Sequence, residues 1–218
     1  MPGTVAEELE LEPQRGFGGT VPPGSNFGGG DEGRGGGRSI PRRAYITGIT
    51  LTLACIMMFF MALTSSFIVR RGTGTDWQVF GMPRVLWANT VILLLSSLTL
   101  EMARRQLARG MMSAFRNLWA LTTGLGLLFV GGQLVAWHQL RAAGVYLSTN
   151  PSSSFFYVFT AAHGVHVMGG IFALLFVAFR SWKRSRTTQP IAAEVAGIYW
   201  HFLDGLWVFL LLLLSLGR

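Results

Sequence analysis

The sequence predicts an all-α fold, a single five-helix bundle integral to a membrane, and three observations carry that prediction. Hydrophobic residues make up 50% of the 218 positions and charged residues only 13%, a balance unlike that of soluble domains. Five apolar stretches are each long enough to cross a hydrocarbon core, which takes roughly 20 helical residues. The short alternating segments that a membrane β-barrel requires are not found.

Residues 1–43 form a Gly-rich, polar segment with an acidic end (Glu7, Glu8, Glu10, Glu12) and basic residues (Arg34, Arg38) further on. It has too little apolar surface to offset the cost of ordering, and a disordered cytoplasmic tail is expected. The membrane domain then occupies 44–218. Its first span, about 44–69, carries no charged residue and serves as an uncleaved insertion signal, since no basic and apolar leader precedes it. The lone cysteine, Cys55, lies inside this span, so an intrachain disulfide is excluded. An outer loop follows, with Trp77, Phe80 and Pro83 as interfacial material.

The second span, about 85–103, carries the polar residues Asn89, Thr90, Ser96, Ser97 and Glu101. A short basic loop leads to the third, about 118–137. The fourth, about 155–179, holds His163 and His166. After a second basic loop, the fifth, about 191–216, holds Glu194, His201 and Asp204. Loops this short make consecutive helices antiparallel neighbours.

The net charge of +8 and pI near 11 do not indicate nucleic-acid binding, because the cations flank the spans. A cytoplasmic N-terminus puts thirteen of the 18 Lys and Arg residues inside. The positive-inside rule therefore selects a cytoplasmic N-terminus and a periplasmic C-terminus.

Ionisable groups in a membrane span are expensive and need partners. Offsets of seven and three put Glu194, His201 and Asp204 on one helix face. From the helix rise, His201 and His166 both lie about 15 Å deep, while Asp204 and His163 lie about 10–12 Å from the outer edge. A hydrogen-bonded seam is therefore expected between spans four and five, with His201 opposite His166 and Asp204 opposite His163. Gly170 and Ala173 let the helices approach. Glu101 falls level with Glu194, and the two carboxylates are either a proton site or a pair reaching the inner interface.

His163 and His166, three residues apart, are expected on one side of their helix, which rules them out as opposed axial ligands of one haem. The remaining histidine, His138, sits at the outer boundary. No H-E-x-x-H, cysteine cluster, P-loop or nucleotide fingerprint is present. The chain is expected to hold no catalytic residue, cofactor or metal of its own.

Three passages resemble the haem-copper oxidase subunit III family in its short five-helix bacterial form. EVAGIYWHFLDGLWVF is similar to that family's terminal helix through Glu194, Tyr199, Trp200, His201, Phe202, Asp204 and Trp207. TAAHGVHVMGG is similar to its His-Gly-x-His helix through His163, Gly164, His166 and Gly170. LWANTVILLLSSLTLEMA resembles a further helix through Asn89, Thr90, Ser96 and Ser97.

The resemblance implies a non-redox accessory subunit of a proton-translocating cytochrome c oxidase in the bacterial inner membrane. Haem and copper would then lie in partner subunits, notably the catalytic subunit I, with subunit II alongside. It also implies bound phospholipid, support for proton uptake and stability in turnover. Two departures stand out: the two extra N-terminal helices of longer relatives have no counterpart here, and Ile56 stands where a buried glutamate often precedes a Phe-Phe pair. Competing readings are a quinol-oxidase or nitric-oxide-reductase accessory subunit, a haem-binding membrane anchor and a proton channel.

Overall fold

The computed structural model describes residues 41–74, 81, 84–147, 150–182 and 189–216. The expected tail therefore lies outside the described residues up to position 40, as do Trp77, Phe80 and Pro83. Five helices follow in order: α1 (Arg42–Thr73), α2 (Val85–Ala108), α3 (Met112–Ala142), α4 (Pro151–Trp182) and α5 (Gln189–Leu216). Each contains one expected span and is long and apolar enough to cross a membrane. Each also runs past the expected bounds, because helices continue from the hydrocarbon into the headgroup layer. The tail boundary moves accordingly, since Arg42 and Arg43 already belong to α1.

Proline and glycine mark the ends. Pro151 opens α4, where a missing amide hydrogen costs nothing. Gly110 follows α2 with φ 76° and Gly144 follows α3 with φ 77°, the left-handed geometry that glycine adopts without strain. At the first, Gly110 N donates to Leu107 O and Met111 N to Gln106 O, each at 3.0 Å. This Schellman closure turns the chain straight back into α3.

Helices α2, α3, α4 and α5 form a ring in which each touches the next and α5 closes back on α2. Among the described residues α1 touches only α4 and α5, from outside the ring. Half of the most apolar stretch of α5 is buried, against 11% for α1, so α5 is the hub and α1 the periphery.

Lipid removes the hydrophobic drive for helices to associate, leaving shape and polar contacts to hold them. The ring is filled by Trp119, Trp200, Trp207, Phe115, Phe129, Phe156 and Phe159, all at most 1% exposed. Small residues make room for them. A Cβ on Gly126 would lie 2.7 Å from the Trp200 ring, and one on Gly170 3.1 Å from it. On α1, buried Ile56, Phe60 and Phe67 face the ring, and Phe67 meets Phe155 and Phe159 edge-on.

Candidate functional site: the polar contacts around the last helix

Among the described residues three side-chain hydrogen bonds join α2 to α5. The Trp200 indole donates to Ser96 Oγ at 3.0 Å, Ser97 Oγ and His201 Nδ1 share a hydrogen bond of 2.6 Å, and the Trp207 indole donates to Thr90 Oγ1 at 3.0 Å. Thr90 and Ser97, like Trp200 and Trp207, are seven residues apart. Two helical turns bring each pair back to the same face, so the antiparallel helices meet in register. Asp204 is 4% exposed, with Oδ2 3.9 Å from His201 Nδ1; Ser97 also neighbours its carboxyl group.

Other interfaces follow the same pattern. Between α3 and α4, the Trp119 indole donates to Leu174 O at 2.8 Å and the Trp137 indole to Thr160 Oγ1 at 3.1 Å. Between α2 and α3, Thr99 and Thr122 hydroxyls meet at 2.8 Å, and Asn89 Nδ2 donates to Phe129 O at 3.3 Å. Asn89 fills the space above Gly132, where a Cβ would fall 2.0 Å from its Oδ1. An indole or amide buried away from water needs such partners.

The expected seam between α4 and α5 is built differently. His201 turns to Ser97 on α2 rather than to His166, and Asp204 lies on that side as well. His166 Nδ1 donates to Ala162 O of its own helix at 2.7 Å, while its ring packs on Phe60 of α1. His163 is 1% exposed, its ring centre 5.1 Å from that of Trp207 and 6.0 Å from that of Phe129. Its two nitrogens have no hydrogen-bond partner among the described residues.

The two histidines thus enter different gaps, contrary to the expectation that they share a side. Three residues leave an angle of about 60°, enough to separate them on a helix with neighbours on three sides. Among the described residues the polar link from α5 to α4 is instead the Tyr199 hydroxyl, which donates to His166 O at 3.1 Å.

Nor do the two carboxylates pair with each other. Glu101 is held by Arg104 at 3.3 Å and Arg105 at 3.0 Å on its own helix. Glu194 accepts two bonds from Arg42 of α1, the one from Nε at 3.0 Å. Arg104 lies against Gly197, whose added Cβ would be 3.0 Å from Arg104 Cδ, and is an electrostatic neighbour of both Glu194 and His201. Arginines therefore bracket both acids near one end of the bundle. Among the described residues no group of three or more His, Cys, Asp or Glu side chains is placed to hold a metal ion.

Arg42, Arg104 and the indole donors were not among the expected site residues. Tryptophan prefers the membrane boundary, so indoles well inside a span, as at Trp200 and Trp207, were a signal that acceptors stand on a facing helix.

Comparison with known proteins shows what the chain as a whole is similar to. The family model for cytochrome c oxidase subunit III matches residues 42–216. The probable cytochrome c oxidase subunit 3 of Nocardia farcinica is 32% identical over 171 residues, covering 74% of this chain and 82% of that protein. The cytochrome c oxidase subunit 3 of Thermostichus vulcanus is 30% identical over 174 residues, covering 78% and 85%. That of Synechocystis is 29% identical over 175 residues, covering 78% and 74%.

Proposed function

This chain belongs to the cytochrome c oxidase subunit III family, a multi-pass membrane accessory subunit of that oxidase, and from this premise we propose what it does there. It packs beside the haem-copper catalytic subunit I, with subunit II in the same assembly, and helps keep that catalytic subunit stable and supplied with protons. Haem and copper belong to those partners. The chain sits in a bacterial inner membrane with its N-terminus in the cytoplasm and its C-terminus in the periplasm.

One observation carries the reading: indole, imidazole and amide side chains inside the spans join one helix to another. Trp200, Trp207, His201, Trp119, Trp137 and Asn89 each bond to a neighbouring helix. Such a bundle is a rigid wall. A cofactor site or an ion path would instead leave convergent groups facing a common space. Bound phospholipid has a fitting place in a cavity of about 540 Å³ between α1, α4 and α5, lined by Tyr45, Ile49, Ala173, Phe176 and Tyr199 and flanked by Arg180. Its apolar walls suit an acyl chain and Arg180 suits a headgroup phosphate.

The test is purification of the tagged chain from its native membranes in mild detergent. A haem-copper subunit should accompany it, and oxidase stripped of this chain should reduce oxygen but lose activity faster during turnover. A chain that purifies alone would contradict the proposal.

A further inference from the structure

We propose that the open face of α5, centred on His201 and Gly205, seats a transmembrane helix of the catalytic partner, one that offers a hydrogen-bonding side chain at mid-membrane depth. This rests on the function proposed above and adds where and how the partner docks.

The helix period settles which residues form this face. Glu194, Ile198, His201, Gly205, Phe209 and Leu212 fall in one stripe along α5. Trp200, Leu203, Trp207 and Leu210 point the opposite way, into the ring, and are at most 1% exposed. The stripe lies between α1 and α2, which flank α5 without touching one another. It is open: Phe209 is 41% and Leu212 48% exposed.

His201 is what makes the face more than lipid-facing surface. It stands twelve residues into a helix of 28, near the membrane centre, and its side chain is 37% exposed. Nδ1 is occupied by Ser97. Nε2 has no hydrogen-bond partner among the described residues. Acyl chains offer neither donor nor acceptor, so an imidazole nitrogen turned outward at that depth calls for a protein group.

The surroundings fit a helix. One turn from His201, Gly205 is exposed, and a Cβ there meets nothing within 4 Å; a missing side chain lets a second backbone come close. Ile198, Phe209 and Leu212 supply apolar contact above and below. At one end, the Arg42 and Glu194 pair and Arg104 supply charges that fix register and orientation.

The experiment uses the full oxidase complex in its native membrane. Gly205→Trp fills the crossing point from outside, where an added Cβ meets nothing within 4 Å. His201→Leu removes the polar group and His201→Gln keeps one. Leu128→Trp, at a position 55% exposed on α3, alters a different face. Gly205→Trp and His201→Leu should each cut the catalytic subunit retained in mild detergent at least tenfold, with His201→Gln much closer to wild type and Leu128→Trp unchanged. A photo-reactive probe attached to Gly205→Cys, with Cys55→Ser, should form an adduct with the catalytic subunit.

Wild-type retention by Gly205→Trp, or an adduct only with lipid or a second copy of this chain, would overturn the docking face while leaving the function intact. Failure of the unaltered chain to retain any haem-copper subunit would instead overturn the function on which it rests.

Discussion

Ser97 Oγ lies 2.6 Å from Nδ1 of His201, tying α2 to α5 across 104 residues of sequence. The bond fixes the imidazole plane. One nitrogen is held inside the bundle, and the other is left at its outer surface.

That bond has a measurable strength. Ser97→Ala and His201→Leu should each lower thermal stability in detergent, and a double-mutant cycle should give a coupling of about 0.5–1.7 kcal/mol, the range for interhelical hydrogen bonds in membranes. Additive effects would mean that the contact does not bind the helices.

The buried indoles should matter more. Trp200→Ala removes a ring that fills the space above Gly126 and Gly170, and a loss of about 3–5 kcal/mol is expected for truncating a buried tryptophan. Trp200→Phe keeps most of the volume and removes only the bond to Ser96 Oγ, whose hydroxyl still donates to Leu93 O, so it should cost less. Equilibrium unfolding in mixed micelles orders the two.

A neighbouring glycine pair gives a sharp contrast. Gly132→Ala puts a methyl group onto Asn89 and should break the Asn89 bond to Phe129 O. Gly131→Ala meets nothing within 4 Å and should leave the melting temperature unchanged or raise it, since alanine is the better helix former. Equal effects would contradict the packing of α2 on α3.

The clasp between α1 and α5 should be weak and sensitive to salt. Arg42 is 62% exposed and Glu194 25%, so solvent screens the pair and it contributes little to stability. Arg42→Glu should lower thermal stability at low ionic strength. Adding Glu194→Arg should restore part of it, since Arg104 also neighbours position 194, and the difference should shrink as salt rises.

Much of the fold was legible in the chain, because a bilayer reduces the problem to apolar length and flanking charge. Each expected span lies within one observed helix. The polar site was only half legible. Depth arithmetic puts His201 level with His166 and Ser97 about one turn deeper, and rise per residue carries no information about which way a helix is rotated.

The contact that closes the ring, α5 on α2, is long-range and was left out by reasoning from consecutive neighbours. The stripe is also split, with Glu194 and His201 on the open side of α5 while Asp204 is buried. Offsets of seven and three allow up to about 80° between its members. That spread is enough to put one member under α2 and leave the others at the surface.

The central claim is that this chain supports an oxidase by packing and holds no redox centre of its own. A reduced-minus-oxidised visible spectrum of the chain, separated from its partners after purification of the complex, tests this most directly. The account predicts haem bands that stay wholly with the partner fraction. A haem band that follows this chain in proportion to its amount would contradict it.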